Sequence, residues 1–422
     1  MASYNRKNHI TNLLIIIILC SIQTNVVSAN NIIEKGKKFI IEKDYESASQ
    51  YFKNINTGYL SNEVNNIIRS YISYLDILLY AKNYLLEYHS DSHIIVHFHQ
   101  DLINVNEIKI LSQKCEKYYL NINKKLSLDY NDFIHVYLYP ESMEIDLWKN
   151  IKYLSLYNLT EGEIHIHYGG LNNHGHIEHE MTHIMSAHLN SFNYNKKLNA
   201  ILIEGLAEYV VEKPWGIDLD YWVKGFLDIQ LFIPLSNLLS GQDFRSYNQI
   251  ITYEESGSFV KHLIETNGLK KFKLLYSNPS YKYVYGKTFQ CIENEWINKI
   301  KQIKVTNKDL ELIKLRLKIG NLYRYPDKLR QIPWIGITTE SKNNSIWIKK
   351  VSKNSPASEA DLKKGDEIIS IDEVLINENW KILALLLDKK PGYAMTFKFK
   401  RNKKILTSSI ILRFNSKWKE VL

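Results

Sequence analysis

The sequence predicts an α+β protein of several domains, and three observations carry that prediction. Apolar residues recur at helical spacing from Asn31 to about His89. Short β-branched runs then alternate with helical stretches through the middle of the chain. From about Ile332 the texture changes to short strands around one helical stretch. The 422 residues are 45% apolar and 23% charged, a globular balance with enough apolar mass for two or three buried cores.

The first segment is a leader. Arg6 and Lys7 precede an apolar run from Leu13 to Cys20, and Val27-Ser28-Ala29 supplies a small-residue exit. This is the layout of a secretory signal, residues 1–29, cut after Ala29, and the run is short for a bilayer span. The chain is expected to be exported, to the periplasm or beyond it, with no integral membrane span after cleavage. Two cysteines then remain, Cys115 and Cys291, and their spacing leaves open whether they pair.

Residues 30–90 read as helical. Ile33, Gly36, Phe39 and Ile40 share one face, Lys43-Asp44 makes a turn, and Tyr45, Ala48, Tyr51 and Phe52 begin a second face. Gly36, Tyr45, Ala48 and Phe52 resemble one tetratricopeptide hairpin. Residues 91–304 form the largest domain. Its expected strands run from Ile94 to Phe98, from Ile134 to Tyr139, and from Glu163 to Tyr168 before Gly169-Gly170 breaks the alternation. A helix through Ile108, Leu111, Cys115 and Tyr118 separates the first two. Helices from Glu178 to about Leu189 and from Asn199 to about Val211 follow. Residues 305–331 read as a charged helical linker, and 332–415 as the small β-rich domain.

Lys and Arg number 54 against 45 Asp and Glu, a formal charge of +9, but the charges are dispersed and form no block of five of one sign. Such an excess describes a solvated surface. No zinc-finger spacing, aromatic RNA-binding signature or phosphate-cradling glycine loop occurs, so nucleic acid is not an expected partner.

The chemistry concentrates in His179-Glu180-Met181-Thr182-His183. Residues four apart share a helix face, so both imidazoles can reach one cation while Glu180 stands beside them. Glu204 follows on the next helix, within Leu202-Ile203-Glu204-Gly205-Leu206-Ala207-Glu208-Tyr209. Two histidines and one glutamate leave the fourth position of a zinc ion open for water. Glu208, one turn beyond Glu204, is placed to accept the outer N–H of a ligating imidazole. His174, His176 and His188 crowd the same stretch and read as surface or supporting residues.

These two elements resemble the gluzincin metallopeptidases, over about His93 to Ile300. The resemblance implies a zincin-like catalytic domain in which Zn2+ is held by His179, His183 and Glu204, with Glu180 as general base. It makes Tyr253, in Tyr253-Glu254-Glu255-Ser256-Gly257, the matching position for a tyrosine that stabilises the oxyanion, with the spacing off by one residue. It also makes the strand from Glu163 to Tyr168 the one that pairs with extended substrate. Aminopeptidase relatives hold a free amine with a Gly-x-Met-Glu-Asn strand. Here Gly162-Glu163-Ile164-His165 stands instead, which favours cleavage within a polypeptide over release of single residues.

The C-terminal segment resembles a PDZ domain through Trp334-Ile335-Gly336-Ile337 and the run Ser355-Pro356-Ala357 to Gly365-Asp366-Glu367-Ile368. The resemblance implies a carboxylate loop at Ile335, Gly336 and Ile337 and a peptide or protein C-terminus as partner. Asp361 and Glu373 stand where glycines are common, which bears on turn geometry. The sequence thus implies a zinc metallopeptidase, a hydrolase acting on a polypeptide substrate. A catalytically silent zinc-containing binding protein and an exopeptidase are the competing expectations.

Overall fold

Lys43 takes a left-handed backbone (φ 59°) between helix α1 (Val27–Ile41) and helix α2 (Tyr45–Lys53), and Asp44 caps α2 by accepting the Ser47 N–H at 3.1 Å. The structure is a computed structural model that describes residues 27–414, except 57, 59, 91–92, 100–104, 141–154, 159–161, 169–174, 191–198, 240–243, 245, 324–332, 343–344 and 388. Most of the expected leader therefore lies outside the described residues. No helix among the described residues is long and apolar enough to cross a membrane. The chain divides into two units, residues 1–199 with 263–285 and residues 200–262 with 286–422.

In the first unit, α1, α2 and α3 (Asn62–Tyr84) pack around Ile33, Ala48, Phe52, Ile68 and Leu75. Gly36 has to be glycine, because a Cβ there would stand 2.2 Å from the Phe52 ring. Phe52 stacks in turn on Tyr71 of α3 at 4.8 Å. The helical reading ran too far, to His89. The backbone leaves the helix at Leu85, and strand β1 (Leu86–His89) pairs antiparallel with β2 (Ile94–Phe98).

The sheet has the order β1-β2-β3-β5-β4, completed by β3 (Ile134–Pro140), β4 (Ser155–Asn158) and β5 (Glu163–Tyr168). β3 runs parallel to both β2 and β5, and parallel neighbours need a crossover connection instead of a tight hairpin. Helix α4 (Val105–Leu126) makes the crossover from β2 to β3 and buries Ile108, Leu111, Cys115, Tyr119 and Ile122. Strand alternation gives the sheet two unlike faces. Val96, Val136, Leu138, Ile164 and Ile166 form an apolar one. His97, His135, Tyr137, Tyr139, Glu163 and His165 line the other, where Tyr74 and Tyr80 of α3 meet them.

One expectation is overturned here. β5 is not a free edge for substrate, because β4 pairs with it from Ser155↔Ile166 to Asn158↔Glu163. A strand with neighbours on both sides has its ladder groups taken by its own chain. Helix α5 (Gly175–Ser186) follows, tied to α4 by Asn121, whose amide donates to Glu178 at 3.1 Å. The helices Leu269–Ser277 and Tyr281–Tyr285 complete the unit.

The second unit contains α6 (Ala200–Val211), α7 (Leu219–Asp228), α8 (Gln249–Asn267) as far as His262, α9 (Phe289–Lys301) and α10 (Asn307–Tyr323). Ile313 and Leu317 of α10 enter the apolar cluster of Trp222, Phe226 and Ile251, so the expected linker is part of a core. An antiparallel sheet of order β11-β10-β8-β7-β6 follows. It is formed by β6 (Ile337–Lys342), β7 (Ser345–Val351), β8 (Glu367–Ile371), β10 (Ala394–Arg401) and β11 (Lys404–Ile411), with β9 (Val374–Leu375) paired to β8. Helices α11 (Pro356–Glu359) and α12 (Asn379–Leu386) close its core of Ile346, Ile348, Phe397, Met395 and Ile410.

Candidate metal centre

Helix α5 turns the spacing of its histidines into a shared face. His179 and His183 are both buried, their rings stand nearly perpendicular (83°), and their Nε2 atoms approach to 3.0 Å. One ligand atom from each of His179, His183 and Glu204 lies within 4.8 Å of the others. Among the described residues no other trio of His, Cys, Asp or Glu converges in this way. Tetrahedral zinc with bonds of about 2.0–2.1 Å keeps its nitrogens about 3.3 Å apart, so the paired imidazoles fit such an ion within a few tenths of an ångström. Glu180 is buried on the same helix, at 9% exposure.

The helix that bears Glu204 crosses α8 at unusually short range. A Cβ on Gly205 would meet the Ser256 carbonyl oxygen at 2.5 Å, and one on Gly257 would meet the Glu208 Cβ at 2.6 Å. Each glycine thus faces the neighbouring helix and lets the backbones approach. Glu208 is buried at this crossing. The motif on α8 that carries Tyr253 is explained largely by packing. Tyr253 is half-buried with its ring 5.6 Å from Phe244, and Glu255 is fully buried and accepts the Ile233 N–H at 2.9 Å. Burial pushes the Glu255 carboxyl well above the usual carboxylate range. His174 lies outside the described residues, as do the side chains of His176 and His188.

Glu163 is engaged within the first unit. Its carboxylate accepts the hydroxyl of Tyr74 at 3.2 Å and stands 3.4 Å from His165 Nε2. Around it runs a network absent from the sequence reading: His165 Nδ1 to the Tyr139 hydroxyl at 2.9 Å, and His97 Nε2 to His135 Nδ1 at 2.9 Å. Alternating His and Tyr on parallel strands is its only trace in the sequence. Burial, then the neighbouring His135, lowers the His97 pKa to about 4. Both cysteines are free thiols, Cys115 buried and Cys291 exposed.

In the β-rich domain, the loop Ile335–Gly336–Ile337 is fixed through its carbonyls, which accept the N–H groups of Ala357 (to Ile335, 3.0 Å) and Ser352 (to Gly336, 2.9 Å). Gly336 has φ +88°, and a Cβ there would stand 2.1 Å from that of Ser355. β6 is the outer strand of the sheet, and the Thr339 hydroxyl on it donates to the side-chain Oδ1 of Asn379 at the start of α12 (2.9 Å). Asp361 and Glu373 both take left-handed backbones, φ 59° and 65°. The Arg401 guanidinium, followed by Lys363, holds the Asp361 carboxyl below the usual range.

The family model for the PDZ domain matches residues 333–412. Among solved structures, similar chains include an HtrA-type protease AlgW with decapeptide, at 16% identity and TM-score 0.20 over 24% of this chain and 35% of that one. The HtrA3 PDZ domain bound to a phage-derived ligand is 19% identical at TM-score 0.18, over 19% of this chain and 85% of that one. A serine endoprotease from Yersinia pestis is 26% identical at TM-score 0.18, over 22% and 33%. The chain spans about a third of the length of the two whole proteases. Among curated proteins, none matches the chain.

Proposed function

We propose that the protein is a zinc-dependent peptidase that cleaves within polypeptides and uses its PDZ-like domain to bind peptide segments. The observation that carries this reading is the convergence of His179, His183 and Glu204, with Glu180 buried on the helix of the two histidines. Two neutral imidazoles and a carboxylate suit zinc and leave one position open. Zinc held there would lower the pKa of a water molecule and polarise the scissile carbonyl.

The chain's own residues supply the rest. Glu180 takes the water's proton and returns it to the leaving amine. Tyr253 donates its O–H to the oxyanion. Glu208 receives an outer imidazole N–H and so fixes the tautomer that presents a lone pair to the ion. Glu163 has its carboxylate committed to Tyr74 and His165, which supports internal cleavage over capture of a free amine. At the PDZ-like domain, the N–H groups of Ile335, Gly336 and Ile337 cradle a terminal carboxylate while β6 adds an extended peptide at its open edge. The same reading has the chain exported, its leader removed after Ala29.

Metal analysis and casein hydrolysis on the purified chain test the proposal. It expects one zinc per chain, and a Glu180→Gln variant that keeps the zinc but loses hydrolysis by a factor on the order of 10²–10⁴. Hydrolysis that survives in metal-free protein contradicts it. Bound zinc without turnover on any peptide favours the silent binding protein instead.

A further inference from the structure

We infer that Arg316 clamps the PDZ-like domain to the turn that follows the Glu204 helix, so that this domain is docked on its own unit and not tethered to it. Arg316 lies on α10 and is only 4% exposed. Its guanidinium carbon sits 3.1 Å above the Trp215 ring and 5.9 Å from the Trp380 ring. Trp215 belongs to the turn Pro214–Gly216 just past α6, and Trp380 belongs to α12 of the PDZ-like domain. A planar cation over the Trp215 face, with the Trp380 ring also in reach, makes a cation–π contact that burial strengthens.

A second contact reaches the same turn. A Cβ on Gly216 would stand 2.8 Å from Glu378 Oε1, and Glu378 Oε2 accepts the Trp380 indole N–H at 2.8 Å. Trp215 has φ 59°, a left-handed backbone that a bulky side chain seldom takes. Such strain persists where surrounding contacts fix it, and Arg316 and Glu378 supply them. Ile313, one turn before Arg316 on the same face of α10, is fixed as well, since its Cδ1 would lie 2.4 Å from a Cβ on Gly225. All of these residues lie in one unit. Asn379, which Thr339 of β6 bonds, directly precedes Trp380. A peptide that adds to β6 therefore lies beside the bond that ties this strand to the helix the clamp holds. Any effect of such a peptide on the Glu204 helix rests on the peptidase reading; the clamp does not.

Hydrogen exchange on the full chain tests the clamp. In Trp380→Ala, amide exchange over 211–217 is expected to speed up about tenfold although no residue there has changed, the factor set by losing one desolvated cation–π contact. Arg316→Ala is expected to accelerate 211–217 and 379–386 together. Arg316→Lys keeps the charge without the planar stack and is expected to behave as Arg316→Ala does. Exchange in β2 stays unchanged in all three. Should Arg316→Ala fail to fold, Trp380→Ala alone decides. Acceleration confined to 379–386 in that variant overturns the clamp. Zinc content, measured on the same samples, separates the two ideas: paired acceleration in a chain that binds no zinc keeps the clamp and removes the peptidase reading.

Discussion

At the scale of the residue, backbone sign and burial decide more than residue class. Asp372 and Glu373 join β8 to β9 with φ 44° and 65°, the two left-handed positions of a type I′ hairpin turn. Glycine at the second position suits that turn best, so Glu373→Gly is expected to raise the free energy of unfolding by about 0.5–1 kcal/mol. A urea titration measures this, and a loss of stability contradicts it. Burial likewise separates the two cysteines. It pushes the Cys115 thiol up to about 12, whereas Cys291 is exposed. Iodoacetamide at pH 8 is expected to label Cys291 in the folded protein and to reach Cys115 only after denaturation. The metal-site candidates were legible in the sequence because a helix converts a spacing of four into one face, which His179 and His183 share. Arg316 was not legible. Nothing near it in sequence announces that the rings at 215 and 380 come within reach of it.

Helices and strands explain why those residues meet. The α6–α8 crossing depends on reciprocal glycines, and a methyl group at Gly257 would fall 2.6 Å from the Glu208 Cβ and 2.9 Å from Leu219 Cδ2. Gly257→Ala is therefore expected to cost about 1–3 kcal/mol of stability, the usual penalty for overpacking a core. Thermal unfolding checks this, with no change in midpoint as the contrary result. The polar sheet face makes a different prediction. His97 is buried with Tyr137 stacked on it at 3.9 Å, and Glu87, His135, Glu163 and His165 around it. Its folded pKa is about 4 against an ordinary 6.5, so the unfolded chain binds the proton more readily. Stability from this group is complete above pH 6.5 and is lost as pH falls toward 4, by about 1.4 kcal/mol per unit at most. His97→Phe keeps the stack and removes the proton site. Its urea midpoint is expected to fall less than that of the parent chain between pH 7 and pH 4.5, and equal slopes contradict the assignment. The strands of this sheet were legible from alternation and β-branching. Their order was not, because strand partners are chosen in three dimensions: the four residues of β4 turned the expected substrate edge, β5, into an interior strand.

Over the whole molecule, the mixed α+β class and the β-rich C-terminal domain followed from local texture, and the PDZ-domain match over 333–412 agrees with the second. The division of the remaining chain did not follow. The stretch 263–285 groups with the first 199 residues, a return of the chain that periodicity cannot reveal. The charged stretch after 305 looked like a spacer since only one side of α10, through Ile313 and Leu317, is apolar enough to enter a core. What the molecule does depends on whether an ion sits where the two imidazoles and Glu204 converge. Crystals of the zinc-loaded protein, with diffraction recorded on both sides of the zinc absorption edge, measure that directly. The account predicts one anomalous peak about 2.0–2.2 Å from a nitrogen of His179, a nitrogen of His183 and a carboxylate oxygen of Glu204. A peak elsewhere, or a Glu204 turned away from the paired rings, contradicts it.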